Sequence, residues 1–303
     1  MKGRNELRVG LALGSGAARG WAHIGVIQTL ERHGISPDIV CGTSIGALVG
    51  ATMAAGELER LDKWVRTLSW QKVISYFDLT MTGGLIKGQK LFDFFREHIE
   101  DSNMEDLDRP FGAIATDLAS GREIWMREGS VFDAVRASIS LPGLFTPVER
   151  DEDLLVDGGL VNPIPVSMCR AMGAHVVIAV DLNADLLSDV HHGHAATAVI
   201  SDAPADESTS LLDRIQARLS AALSLDSKDH DTPSMIDVVT ASINIMQVRI
   251  TRSRLAGEPA DALISPRLAQ FALLDFHRAS EAIEEGEAAT ERAMPQIKSL
   301  LGR

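Results

Sequence analysis

What this chain has little of narrows its chemistry first. Only two of its 303 residues are cysteine, Cys41 and Cys169. Two are too few for a disulfide framework, and their spacing is not that of a metal site. Basic residues number 29 against 42 acidic ones, a net charge of −13. That deficit argues against nucleic acid as a partner and against general attraction to anionic membranes. No run of about 18 to 20 apolar residues occurs, so no transmembrane helix is expected. The residues after Met1 carry no long apolar run either, so no signal peptide is expected. A cytoplasmic location follows as the expectation, with peripheral membrane contact left open.

What is present fits a folded protein, with 45% hydrophobic and 23% charged residues. Apolar runs at Leu7 to Leu13 and Ile39 to Cys41 read as strands, each followed by a glycine-containing turn and a helical pattern. Strand, turn, helix, repeated, predicts an α/β fold with a central, mostly parallel sheet flanked by helices. Residues 7–182 are expected to form the core. Residues 183–210, polar and holding His191, His192 and His194, read as a mobile surface loop. Residues 211–303 are expected to be mainly helical and to pack on the core.

The most informative stretch is Gly42-Thr43-Ser44-Ile45-Gly46, between the second strand and a helix of small residues. Gly-x-Ser-x-Gly in that setting is a nucleophile elbow, a tight turn that lifts one serine hydroxyl above the end of a sheet. A serine nucleophile also needs donors for the oxyanion of its tetrahedral intermediate. Gly14, Ser15, Gly16, Ala17, Ala18 and Arg19 follow the first strand, and their small side chains let backbone N–H groups converge as an anion nest. The N–H of Ile45 is the usual further donor at an elbow. A rival reading takes Gly14-x-Gly16-x-x-x-Gly20 as a dinucleotide-binding turn. That reading needs an acidic residue at the end of the second strand, where this chain has Gly42-Thr43-Ser44.

The base is harder to read. His175, His230 and His277 are available, but none follows a core strand convincingly, and His23 reads as a packing or capping residue. Asp157 ends the apolar run Leu154-Leu155-Val156 and precedes Gly158 and Gly159, which permit a sharp turn. Taken alone, Asp-Gly-Gly reads more readily as an ordinary turn than as a catalytic site.

Together the ordered blocks Gly14-Ser-Gly-Ala-Ala-Arg-Gly20, Gly42-Thr-Ser-Ile-Gly46 and Asp157-Gly-Gly resemble the patatin-like phospholipases. The flanking Trp21-Ala-His-Ile-Gly-Val-Ile and Ala137-Ser-Ile-Ser-Leu-Pro-Gly-Leu-Phe-Thr-Pro147 extend the likeness, which is nearest to the bacterial branch related to neuropathy target esterase. The resemblance implies a patatin-like fold and a serine–aspartate dyad. In it Ser44 is the nucleophile, Asp157 the proton acceptor, and the loop from Gly16 to Arg19 the oxyanion site. Ser15 and Ala17 stand where family members often have an unbroken glycine run, which leaves the identity of the donors open. A free aspartate, with a pKa of about 3.9, is a weak base; desolvation in an apolar site would raise it.

The implied activity is hydrolysis of carboxylic esters of phospholipids or lysophospholipids, with no cofactor or metal. The alternatives are a soluble carboxylesterase or thioesterase, and a low-turnover regulatory protein on the same fold. The segment from Trp64 to Phe95 reads either as an apolar flap for acyl chains or as ordinary core, and Lys72, Lys87 and Lys90 within it as contacts for a phosphate headgroup or as solubilising charges.

Overall fold

Five strands carry the centre of the sheet in the computed structural model, which describes residues 7–76, 102–142, 144–186 and 235–303. They are β1 (Val9–Leu13), β2 (Ile39–Thr43), β3 (Phe111–Asp117), β7 (Val176–Val180) and β8 (Ala262–Ile264). All five are parallel, in the order β3-β2-β1-β7-β8. Beyond β3 the sheet turns antiparallel: β4 (Glu123–Met126) and β6 (Asp153–Asp157) pair with β3, and β5 (Val148–Arg150) pairs with β6. The sheet is therefore mixed, mostly parallel as expected, with an antiparallel flank that the βα periodicity did not reveal. The segment 211–303 supplies one of its strands, β8.

Side-chain alternation explains why helices cover both faces. Leu11, Leu13, Val40, Ile178 and Val180 point into one core, and Ala12, Ile39, Cys41, Val177 and Ala179 into another. The first core is closed by α1 (Ala22–Arg32), α2 (Ile45–Ala54) and α8 (Ala279–Leu300). The second is closed by α6 (Val166–Ala171), whose Met168 and Cys169 are fully buried. Both cysteines are free and lie in this second core. The remaining helices are α3 (Leu58–Val65), α4 (Trp70–Tyr76), α5 (Val131–Ser138) and α7 (Met235–Gly257). Two glycines let α1 and α8 cross at backbone contact: a Cβ on Gly25 would lie 2.0 Å from the Ile283 carbonyl, and one on Gly286 2.0 Å from that of Ala22.

The feature that matters most for the site is how β2 and β6 share β3. The Pro110 carbonyl accepts from Val40 beside β2, while the Leu118 amide donates to Leu154 beside β6. In a strand, residues of one parity present their N–H and C=O groups to one edge. Positions 110 and 118 have the same parity, so β2 and β6 lie on the same edge of β3, running toward each other. Thr43 pairs with Ile114, and Asp157 pairs with Ala115, the next position along. The antiparallel strand ends where the parallel one leaves the sheet to become α2.

Residues 187–210 of the polar segment, with its three clustered histidines, lie outside the described residues, as do residues 211–234 of the region expected to be mainly helical and residues 77–95 of the segment read as flap or core. None of the helices among the described residues is long and apolar enough to cross a membrane.

Candidate active site

At the meeting of β2 and β6, the Ser44 hydroxyl donates to Asp157 Oδ2 at 2.5 Å. Ser44 has φ 57° and ψ −126°, a left-handed conformation that a non-glycine residue holds only when its surroundings enforce it. The enforcement is visible. The Ser44 amide donates to Ser138 Oγ at 2.8 Å at the end of α5, and Thr43 Oγ1 donates to the Asn162 carbonyl at 2.9 Å. The two elbow glycines are required by packing. A Cβ on Gly42 would sit 2.3 Å from the Gly46 carbonyl, and one on Gly46 2.3 Å from the Leu13 carbonyl.

Asp157 is held at three points. Its amide donates to the Ser140 carbonyl at 3.0 Å, its carbonyl accepts from Thr116 Oγ1 at 2.8 Å, and Oδ1 accepts from the Gly159 amide at 2.7 Å. Gly158 packs on the Ile114 carbonyl, which a Cβ would approach to 2.3 Å. The Asp-Gly-Gly turn is thus both a turn and the mount for a buried carboxylate. Burial pushes the Asp157 pKa up to about 6, against the lowering effect of its bonds from Ser44 and Gly159. The expected desolvation is therefore present, and the carboxylate remains ionised at neutral pH while being a stronger base than a free aspartate.

The glycine-rich loop lies beside this pair, but its amides are not equivalent. Gly14 N–H donates to the Val180 carbonyl, Ser15 N–H to Pro163, Ala18 N–H to Leu273 and Arg19 N–H to Gly16. These four are occupied, which corrects the expectation that the whole loop from Gly14 to Arg19 offers donors. Among the described residues the amides of Gly16 and Ala17 have no backbone acceptor, and Ile45 opens α2, where first-turn amides have no intrahelical acceptor. Ala17 takes a left-handed φ of 48° at this point. The small side chain at 17 is therefore tolerated where glycine would be easier.

Arg19 is buried, and its role is structural within the loop: Nε donates to the Gly16 carbonyl and Nη2 to Asn244 Oδ1, each at 3.2 Å. Burial lowers its pKa to about 10, opposed by Asp185 and Asp181, so it stays cationic at neutral pH. His23 is fully buried, with Nε2 2.8 Å from the Gly14 carbonyl. A carbonyl only accepts, so Nε2 carries the proton; burial holds the pKa near 4 and the ring neutral. The histidines considered as a base are elsewhere. His175 precedes β7, at the end of the parallel strands opposite to Ser44, and His277 packs edge-on against Trp70. His230 lies outside the described residues.

From Ser44 an apolar channel opens, lined among others by Ala17, Leu48, Leu68, Val73, Ile139 and Phe145. Trp64, which opens the segment read as flap or core, also lines it, whereas Trp70 lies outside the lining and is partly exposed. Four supporting residues were not visible as site residues in the sequence: Ser138, Asn183, Asn244 and Gln247. Ser15 Oγ donates to Gln247 Oε1 at 3.2 Å, and Asn183 Nδ2 donates to the Ser15 carbonyl at 3.2 Å. Single polar residues in helices, or in a turn as Asn183 is, have no local signature, and only the fold brings them here.

An elbow serine above a mixed α/β sheet, beside a buried carboxylate and a small-sided loop, is an arrangement suited to a serine hydrolase. Comparison with known proteins makes the assignment particular. Residues 11–170 match the patatin-like phospholipase family. The chain is 33% identical to an uncharacterized NTE family protein of Mycobacterium bovis and to one of Mycobacterium tuberculosis, over 97% of this chain and 93% of theirs. It is 33% identical to human patatin-like phospholipase domain-containing protein 6 over 60% of this chain, which is 14% of that protein. VipD from Legionella pneumophila has a similar fold, with a TM-score of 0.52 and 10% identity, covering 96% of this chain and 67% of VipD. The chain belongs to the patatin-like phospholipase family. Asn183, Asn244 and Gln247 lie beyond the matched residues 11–170.

Proposed function

We propose that the protein is a serine acyl hydrolase that cleaves carboxylic esters of phospholipids or lysophospholipids through a Ser44–Asp157 dyad. The observation that carries this reading is the 2.5 Å bond from the Ser44 hydroxyl to a buried carboxylate at the mouth of an apolar channel.

Ser44 Oγ attacks the ester carbonyl carbon as its proton passes to Asp157. The carbonyl π electrons move to oxygen, and the oxyanion accepts from the amides of Gly16 and Ala17, with Ile45 as a third donor. As the intermediate collapses, the C–O bond to the alcohol breaks and Asp157 returns the proton to the leaving oxygen. Water then attacks the acyl-serine by the same route, giving its proton to Asp157, which passes it to Ser44. No histidine is needed, because burial has already raised the basicity of the aspartate. The acyl chain lies along the apolar channel, where each buried methylene contributes about 0.8 kcal/mol of binding.

The test is a panel of p-nitrophenyl esters of rising chain length set beside lysophospholipids and diacyl phospholipids. Preference for long acyl chains and turnover of the lipids are expected. Turnover confined to short soluble esters would make the protein a carboxylesterase instead.

A further inference from the structure

The oxyanion loop is too small-sided to hold itself in place. From Gly14 to Ala18 its side chains are all small, its one large side chain, Arg19, is itself held from outside the loop, and Ala17 sits at a φ of 48°. Strained backbone of this kind persists only where neighbours over-determine it. The neighbours come from α7, more than 200 positions along the chain. Gln247 is buried, and its Oε1 accepts from Ser15 Oγ at 3.2 Å and from Asn183 Nδ2 at 3.3 Å. Asn183 in turn holds the Ser15 carbonyl. One turn earlier, Asn244 fixes Arg19, whose Nε holds the Gly16 carbonyl. The other end of the Gln247 amide lies against Gly159, where a Cβ would come within 2.5 Å of Nε2. Gly159 is the residue whose amide bonds Asp157 Oδ1.

We infer that Gln247 is a positioning residue, a single side chain that sets the oxyanion loop and the Asp157 turn relative to each other. Its amide oxygen anchors Ser15, one residue before the free amides, and its nitrogen end limits how far the Asp157–Gly159 turn can shift. The inference rests on the proposed roles of Ser44 and Asp157. Displacing catalytic groups by about 1 Å costs roughly 100-fold in rate, so losing this anchor affects turnover far more than ground-state binding.

The test compares wild type with Gln247→Leu and Gln247→Glu, using kcat and KM on a p-nitrophenyl ester and the rate of Ser44 labelling by a fluorophosphonate. Gln247→Leu is expected to lower kcat and the labelling rate by about 10- to 100-fold, with KM within about 3-fold and an unchanged circular dichroism spectrum. Gln247→Glu keeps the acceptor but adds a negative charge near Asp157. It is expected to label within about 5-fold of wild type, a rescue by the retained acceptor, and to move the acidic limb of the pH profile upward because the new charge lies close to Asp157. If Gln247→Leu does not fold, the Gln247→Glu limb decides: an unmoved limb overturns the inference. Labelling of Gln247→Leu at the wild-type rate overturns it as well. A wild type that is not labelled at Ser44 overturns the dyad, and the inference with it.

Discussion

Thr43 and Asp157 occupy consecutive places along one edge of β3, opposite Ile114 and Ala115. Strand register alone therefore delivers Ser44, the residue after Thr43, to a carboxylate 113 positions further along the chain. The arrangement needs the antiparallel strand β6 to end where β2 leaves the sheet, and it makes the Ser44–Asp157 contact a property of the sheet rather than of a flexible loop.

Removing either member of the pair should abolish turnover without unfolding the protein. Ser44→Ala is expected to lose at least about 1,000-fold in kcat, and His175→Ala and His277→Ala to stay within about 2-fold of wild type. Steady-state assays on one ester check this, and a histidine variant that folds but no longer turns over would sink the dyad.

The pH dependence follows from the Asp157 pKa of about 6. The base form is the carboxylate, so kcat/KM should rise through pH 6 and level off above it. Stability runs the other way. The folded pKa lies above its unfolded value, so the favourable protonated state is fully present below about pH 4 and is lost as pH rises through about 6. At neutral pH the buried charge costs roughly 3 kcal/mol, which Asp157→Asn removes. That variant should gain more in Tm over wild type at pH 8 than at pH 4; thermal melts at the two pH values compare the gains.

Gly46→Ala places a methyl 2.3 Å from the Leu13 carbonyl, where the neighbour is backbone and cannot swing aside. The change is expected to cost about 2 to 3 kcal/mol of stability and to displace Ser44, lowering both Tm and kcat. Chemical denaturation measures the first and ester hydrolysis the second; a fully active, equally stable variant would contradict the packing described at the elbow.

Narrowing the channel should act on chain length rather than on chemistry. Ile139 lines it, and Ile139→Trp is expected to lower kcat/KM for a long-chain p-nitrophenyl ester by 10-fold or more, while acetate or butyrate hydrolysis changes by less than about 3-fold. Equal losses for long and short esters would place the acyl chain elsewhere.

Much of this was legible in the sequence because the signals were local. The elbow glycines flank Ser44 within five residues, and the first two βα units carry plain apolar runs. Asp157 was legible only through its family context, since Asp-Gly-Gly at a strand end is also an ordinary turn. The antiparallel flank was not: β5 is three residues long, and β4 and β6 reveal their pairing with β3 only in three dimensions. The donors could not be sorted either, because which amides in the glycine-rich loop remain free depends on distant carbonyls at Pro163, Val180 and Leu273. Gln247 and Asn244 were silent for the same reason.

The account turns most directly on one experiment: fatty-acid release from a lysophospholipid at pH 8 by wild type, Ser44→Ala and Asp157→Asn, each shown to be folded. Steady release by wild type and a loss of at least about 1,000-fold in both variants is the predicted result. Release by Asp157→Asn at the wild-type rate, or three folded proteins that are equally inert, would contradict it.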